Sequence, residues 1–173
     1  MPVSAETLRL HLDYTTWASQ RLLDQAATLS REELTRDFKT ADSSVLGTLA
    51  HIFGADRVWL QRLEGNPRNT ILDPEDRDLA RLQKAWPVVL QRWKERAASM
   101  TDEQAAANVS FRDMKGNSYE MPLWQVLLHV VNHGTHHRGM VSGFLRSMGH
   151  TPPQLDLIAY YRTLALAERT AAS

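Results

Sequence analysis

The stretch that decides the fold is His129–Gly139, which reads HVVNHGTHHRG and holds four of the seven histidines in the chain. Apolar residues recur around it at helical spacing, so we predict one long helix from about Leu123 to Ser147. His133 and His137 lie four residues apart, which places their imidazoles one turn apart on the same helix face. Such a pair can bind one divalent metal ion, but a third ligand must come from another helix.

Composition narrows the class of protein. With 173 residues, we expect a single domain over 1–173. Lys+Arg and Asp+Glu are 20 each, so the net charge of zero argues against nucleic acid or an anionic membrane as a partner. The chain has no cysteine, which leaves only nitrogen and oxygen ligands for a metal. We find no signal-peptide pattern and no apolar run long enough to span a membrane, and we therefore expect a cytoplasmic protein.

Helical periodicity dominates the remaining sequence. We predict long helices over about 5–29, 43–65 and 74–99, a helical turn after Ser30, and a short helix at about 155–161. Pro87 lies inside the third of the long helices, where we expect it to kink or break the helix.

The segment between about 108 and 121 has a different character. Its residues alternate in polarity on both sides of a turn signal at 115–117, a pattern that predicts a small β-hairpin. Together with four long helices and short connections, this predicts an all-α protein. The expected architecture is an up-and-down four-helix bundle with the hairpin inserted before the last long helix.

Three histidines outside the main stretch could supply the third ligand. We favour His51, because it lies in the middle of the second long helix and its own face carries small or medium side chains that leave room for an ion. His11 has a mixed polar surrounding and His150 follows a glycine in a loop, and both remain alternatives on these grounds.

His133 and His137 lie within or at the edge of the buried stripe of the last helix, and His129 and His136 lie off its other edge. The pair could instead be core histidines that bond to backbone or carboxylate groups. An imidazole buried without partners costs about 1–3 kcal/mol, so either interpretation must supply a partner. We favour the metal interpretation, because two histidines face inward four residues apart and two more flank them. For His129 and His136 we favour a solvated or structural role.

The sequence resembles the DinB/YfiT-like family of metalloenzymes. The run His129–Gly139 carries most of this similarity. Supporting similarity comes from Tyr14–Ser19, His51 with Trp59–Leu63, and Gly149–Pro153 with Asp156 and Tyr160.

The resemblance implies a four-helix bundle, often a homodimer, that holds a divalent metal on one histidine of the second helix and two of the last. Matched to this chain, these ligands are His51, His133 and His137. The family motif often continues Arg-Gly-Gln, whereas this chain has Met140 in place of the glutamine.

Three neutral imidazoles leave open positions on an ion, the arrangement of a catalytic site, and zinc and nickel both suit such ligands. The sequence has no His-Glu-x-x-His protease motif and no Glu-x-x-His pair for a di-iron site. The resemblance implies a small-molecule transferase that uses a low-molecular-weight thiol, or a metal-dependent hydrolase. The alternative is a non-catalytic metal-binding or stress-associated protein whose ion stabilises the fold. No catalytic residue is identified.

Overall fold

The computed structural model describes residues 3–68 and 70–171. Within these residues the chain is mostly helical, with one two-stranded antiparallel sheet, as predicted. The elements are α1 (Ala5–Ala26), α2 (Arg31–Thr35), α3 (Val45–Leu63), α4 (Leu79–Ala98), α5 (Asp102–Ala106), β1 (Asn108–Arg112), β2 (Ser118–Pro122), α6 (Leu123–Ser147), α7 (Leu157–Ala171) and a 3₁₀ helix at Pro74–Arg77.

The helix that carries the histidine stretch begins and ends where the sequence predicts. Pro122 precedes the first turn of α6, and Gly149 follows its end with a φ of 86°, a left-handed conformation that glycine adopts easily. Serine residues cap the N-terminal ends of two other long helices. The Ser4 and Ser44 hydroxyls accept backbone N–H groups at the starts of α1 and α3.

The start of the third long helix differs from the prediction. The third long helix begins at Leu79, because the Asp78 side chain caps it and the preceding residues form the separate 3₁₀ turn. Asp76 fixes that turn by accepting the Asp73 N–H at 2.7 Å while its carboxylate pairs with Arg57 of α3 at 2.5 Å. A contact between residues 19 positions apart decides this boundary, and local periodicity does not reveal it.

Pro87 and the C-terminal segment are two further points of comparison with the prediction. Pro87 lies inside α4 and does not break it. The buried side chains of Trp86 and Leu90 hold the turns on either side of the proline. The last helix is Leu157–Ala171 and not the short helix expected at about 155–161.

The four long helices enclose the core. α1 packs against α4 and α6, and α3 packs against the same two helices. The hairpin lies beside α3 and α6, with β1 contacting α3 and β2 contacting α6. Large buried side chains fill the space between the helices, among them Leu8, Leu22, Phe53, Trp86 and Leu127. Burial of this apolar surface is the main force that holds α3 against α6.

In the part of the chain that the structure describes, no helix combines the length and the apolar character needed to cross a membrane.

Candidate metal centre

Three histidines from two helices meet at the contact between α3 and α6. His51 comes from α3, and His133 and His137 come from successive turns of α6. One ring nitrogen of each lies within 4.8 Å of those of the other two. The Nε2 atoms of His51 and His133 are 3.1 Å apart, and the centroid of the His137 ring is 4.4 Å from that of His51. The structure thus brings together the three residues that the sequence predicts as ligands.

The environment of this cluster favours neutral imidazoles. Burial, followed by the charges of the neighbouring imidazoles, lowers the pKa of His133 to about 3. The pKa of His137 is also lowered, first by burial and then by His51, while Asp42 acts in the opposite direction. A neutral imidazole keeps one nitrogen lone pair, which is the form that binds a metal.

The residues present fit a divalent ion. Three nitrogens at about 2.0–2.1 Å from one ion in tetrahedral geometry lie about 3.4 Å from each other, close to the observed separation of the two Nε2 atoms. The side chains of His51 and His137 retain 23% and 14% of their exposure, so the cluster remains accessible from solvent.

Asp42 completes the surroundings of the cluster, and the sequence analysis did not identify it. Its Oδ1 lies 3.5 Å from His51 Nδ1 and its Oδ2 lies 3.6 Å from His137 Nδ1. Sequence reasoning assigned this residue only to the connection before α3. The one local signal is an acid two residues before the helix cap Ser44, and that pattern is common without any site.

The two flanking histidines lie where the helix geometry predicts. The His129 ring is 5.9 Å from that of His133 and packs edge-on against Trp59 at 5.3 Å. Burial and then the nearby Arg62 charge lower the pKa of His129. His136 is exposed, with its ring 5.0 Å from that of His137.

The two alternative third ligands lie elsewhere. His11 Nδ1 is 2.8 Å from the Thr7 carbonyl of its own helix. His150 Nε2 lies 2.7 Å from the Glu33 carboxylate, which ties the segment after α6 to α2. Neither residue joins the group of three.

A second polar group is buried between the same helices, and sequence reasoning missed it as well. Asp56 of α3 is 1% exposed and accepts the Trp86 Nε1–H at 2.9 Å. Arg138 of α6 is also 1% exposed and donates to the hydroxyls of Ser19 and Thr135 at 3.3 and 3.0 Å. Burial raises the pKa of Asp56 to about 7, although Trp86 and Arg138 both act to lower it.

A cavity of about 860 Å³ lies on the opposite side of α6. Tyr14, Thr135 and Arg146 line it together with the segment 152–157, and the three clustered histidines do not. This cavity is therefore separate from the candidate metal centre.

The fold and the cluster define a helical protein with a candidate three-histidine metal centre between two of its long helices. The chain belongs to the DinB family, whose model matches residues 1–169. This confirms the family that the sequence resembles.

Individual relatives agree with this assignment. The chain is 23% identical over 155 residues to protein DinB of Bacillus subtilis (strain 168), which covers 86% of this chain and 90% of that protein. The crystal structure of a DinB-like protein from Bacillus cereus superposes with a TM-score of 0.58 at 24% identity. That similarity covers 89% of this chain and 99% of the other. The structural similarity supports the fold.

Proposed function

We propose that the protein binds one divalent metal ion through His51, His133 and His137 and uses it in chemistry on a small molecule. The observation that carries this proposal is the convergence of three ring nitrogens within 4.8 Å at a site that solvent can reach. The ion is zinc or nickel, because both suit imidazole ligands and the chain offers no thiolate.

The proposal includes the architecture around the site. The chain is a single domain in which α1, α3, α4 and α6 form a four-helix bundle, and the protein is a cytoplasmic homodimer. The second and fourth of these helices, α3 and α6, run antiparallel, since Trp59 near the end of α3 packs on His129 near the start of α6, so the helices do not alternate in direction as the up-and-down prediction requires. The packing of α1 and α3 against α4 and α6 supports the bundle. The site then lies between two antiparallel neighbours, the usual place for a metal centre in such proteins.

The accessibility of the histidines favours a catalytic role over a purely structural one. A structural metal site has all of its coordination positions filled by protein, whereas this cluster offers three nitrogens and stays open to solvent. A bound ion would supply Lewis acidity and lower the pKa of a coordinated water or thiol. The expected activity is therefore transfer involving a low-molecular-weight thiol, or hydrolysis.

Residues beside the cluster would contact the substrate. His129 and Trp59 lie on the side towards the hairpin, where Phe111 packs edge-on against Trp59 at 4.9 Å. Burial and the nearby Arg62 charge lower the pKa of His129, which favours the neutral form that can accept a proton from a group bound next to His133. This aromatic side of the opening suits an apolar portion of a small molecule.

Metal analysis of the purified protein tests the proposal. After dialysis against Zn²⁺ or Ni²⁺ and removal of excess ion, we expect about one ion per chain in the wild type. His133→Ala and His137→Ala should reduce this to near zero, and His51→Ala should weaken binding strongly. His136→Ala is the matched control, because this histidine lies on the same helix and outside the group of three. A wild type without bound ion would refute the metal site.

A second measurement separates the enzyme from a metal-binding protein whose ion only stabilises the fold. The zinc- and nickel-loaded protein is assayed with electrophiles plus small thiols and with ester and amide substrates. Turnover that disappears in His133→Ala supports the enzyme. Metal-dependent thermal stability without turnover on either set favours the binding protein.

A further inference from the structure

We infer that Asp42 is a positioning residue that holds His51 and His137 in the tautomer and orientation needed to bind the ion. This inference rests on the proposed function, since it concerns the same three histidines. It adds a residue that touches two of the ligands and does not itself belong to the group of three.

The geometry gives one carboxylate two imidazole partners. Asp42 Oδ1 faces His51 Nδ1 at 3.5 Å, and Oδ2 faces His137 Nδ1 at 3.6 Å. A carboxylate can only accept, so both facing nitrogens carry their protons when the contacts close. The Nε2 atoms of both rings are then unprotonated, and that of His51 already points towards His133. Carboxylates that accept the second N–H of a metal-binding histidine are a general feature of metal sites.

The distances from Asp42 to the two imidazoles are close to those of hydrogen bonds. Both distances are about half an ångström longer than an ordinary N–H···O hydrogen bond. The Asp42 side chain is 17% exposed, so few water molecules compete for its oxygens. On the other side, His137 Nδ1 is buried and has no hydrogen-bond partner, and a small movement of the carboxylate would satisfy it. Of the two imidazole nitrogens that Asp42 faces, the one without a hydrogen-bond partner is therefore His137 Nδ1.

The loop that carries Asp42 is fixed on both sides. Lys39 and Ser43 have φ values of 58° and 63°, a left-handed conformation that costs energy for these residues. A hydrogen bond of 2.6 Å from the Phe38 N–H to the Ser43 carbonyl closes the loop. Phe38 also stacks on Phe144 of α6 at 4.2 Å between ring centroids. The loop thus connects the start of α3 to α6, the two helices that supply the histidines.

Gly47 permits this arrangement. A Cβ at this position would lie 2.0 Å from the backbone oxygen of Asp42, too close for any side chain. The absence of a side chain allows the loop to lie directly against the first turn of α3. Backbone packing therefore holds Asp42 beside the first turn of α3, from where its carboxylate reaches both imidazoles.

Zinc affinities of full-length variants, measured by chelator competition, test the inference. Asp42→Ala removes both acceptors, and we expect the Kd to rise by about 10- to 100-fold. Asp42→Asn keeps one acceptor and presents an NH₂ group to the second imidazole, so its Kd should lie in between. Asp37→Asn is the matched control. Asp37 lies in the same loop but pairs with Lys39. The Kd of the Asp37→Asn variant for zinc should therefore stay within about twofold of the wild-type value.

Two further readouts separate positioning from a general loss of structure. The metal-free variants should melt close to the wild type, since Asp42 bonds no core group. The visible absorption spectrum of the Co²⁺-loaded Asp42→Ala protein should differ from that of the wild type, because the orientation of the imidazoles affects the cobalt ligand field. An unchanged Kd and an unchanged cobalt spectrum in Asp42→Ala would overturn the role of Asp42 and leave the proposed metal site standing. A wild type that binds no Zn²⁺ would overturn the proposed function together with it.

Discussion

Two polar clusters lie on the same pair of helices and differ in how their polar groups are satisfied. In the core, Asp56 and Arg138 are almost fully buried, and their hydrogen bonds go to side chains of α1, α4 and α6. Only Nε of the guanidinium lacks a partner there. At the histidine cluster the rings face one another, and His137 Nδ1 has no partner.

The difference separates structure from binding. A buried polar group that finds its partners within the protein contributes to a single packed arrangement, and removing one partner is costly. Imidazoles that converge at an accessible position and bond chiefly to one another can exchange that contact for a ligand. Disrupting the core cluster should therefore lower the free energy of unfolding and leave metal binding intact. Disrupting the histidine cluster should abolish metal binding and leave the stability of the metal-free protein nearly unchanged.

The largest effect is expected for Trp86→Phe. This change removes the N–H donor to the buried Asp56 carboxylate and leaves a void, which together should cost about 3 kcal/mol of unfolding free energy. Urea denaturation measures the loss. Zinc stoichiometry of the folded variant should remain that of the wild type, and a variant that loses its zinc while folded would contradict the separation of the two clusters.

Metal addition should produce the next largest effect, at the histidine cluster. Free Zn²⁺ at a hundredfold excess over Kd should stabilise the wild type by about 2.7 kcal/mol. His133→Ala should show no such increase, and in metal-free buffer its stability should lie within about 1 kcal/mol of the wild type. Thermal unfolding with and without zinc tests both statements. Strong destabilisation of metal-free His133→Ala would mean that the imidazole has a structural role.

The pH dependence of stability should report on Asp56. Its pKa is about 7 in the folded protein, above the ordinary value of 3.8. Between these values the folded state keeps a proton that the unfolded state has released, so stability falls as pH rises through this range. Asp56→Asn should lose this contribution. Urea denaturation at several pH values between 4 and 7 compares the two slopes, and equal slopes would contradict the assignment.

The smallest effect is expected for Ser19→Ala. The Ser19 hydroxyl accepts one long hydrogen bond, 3.3 Å, from Arg138, and its loss should cost about 1 kcal/mol. Thr16→Ala on α1 is a suitable comparison, because that hydroxyl bonds only to the Leu12 carbonyl of its own helix. A larger loss for Thr16→Ala than for Ser19→Ala would mean that the core cluster contributes little.

Local signals predicted the elements that local contacts determine. Pro122 and Gly149 set the ends of α6, and the four-residue spacing of His133 and His137 places them on one face. The position of His51 follows from the spacing within α3, but its role as third ligand depended on the family resemblance as much as on its own helix face.

Long-range contacts determine what the sequence could not reveal. The start of α4 depends on the pairing of Asp76 with Arg57, and the position of Asp42 beside two histidines depends on a loop that packs against Gly47. Asp56 and Arg138 were also missed, because charged residues are expected at the surface unless a partner from another helix is known.

Arg138 also fixes the rotation of α6 about its own axis. Its guanidinium occupies a space beside Gly134 where a Cβ would approach to 2.6 Å, and it reaches Ser19 on α1. His137 directly precedes it, so the two side chains point about 100° apart around the helix. The arginine therefore determines which face of α6, and with it His137, points towards α3. Transplanting the histidine pair into another helical scaffold would require this arginine and its glycine as well, because contacts on a different face of the helix determine where the imidazoles point.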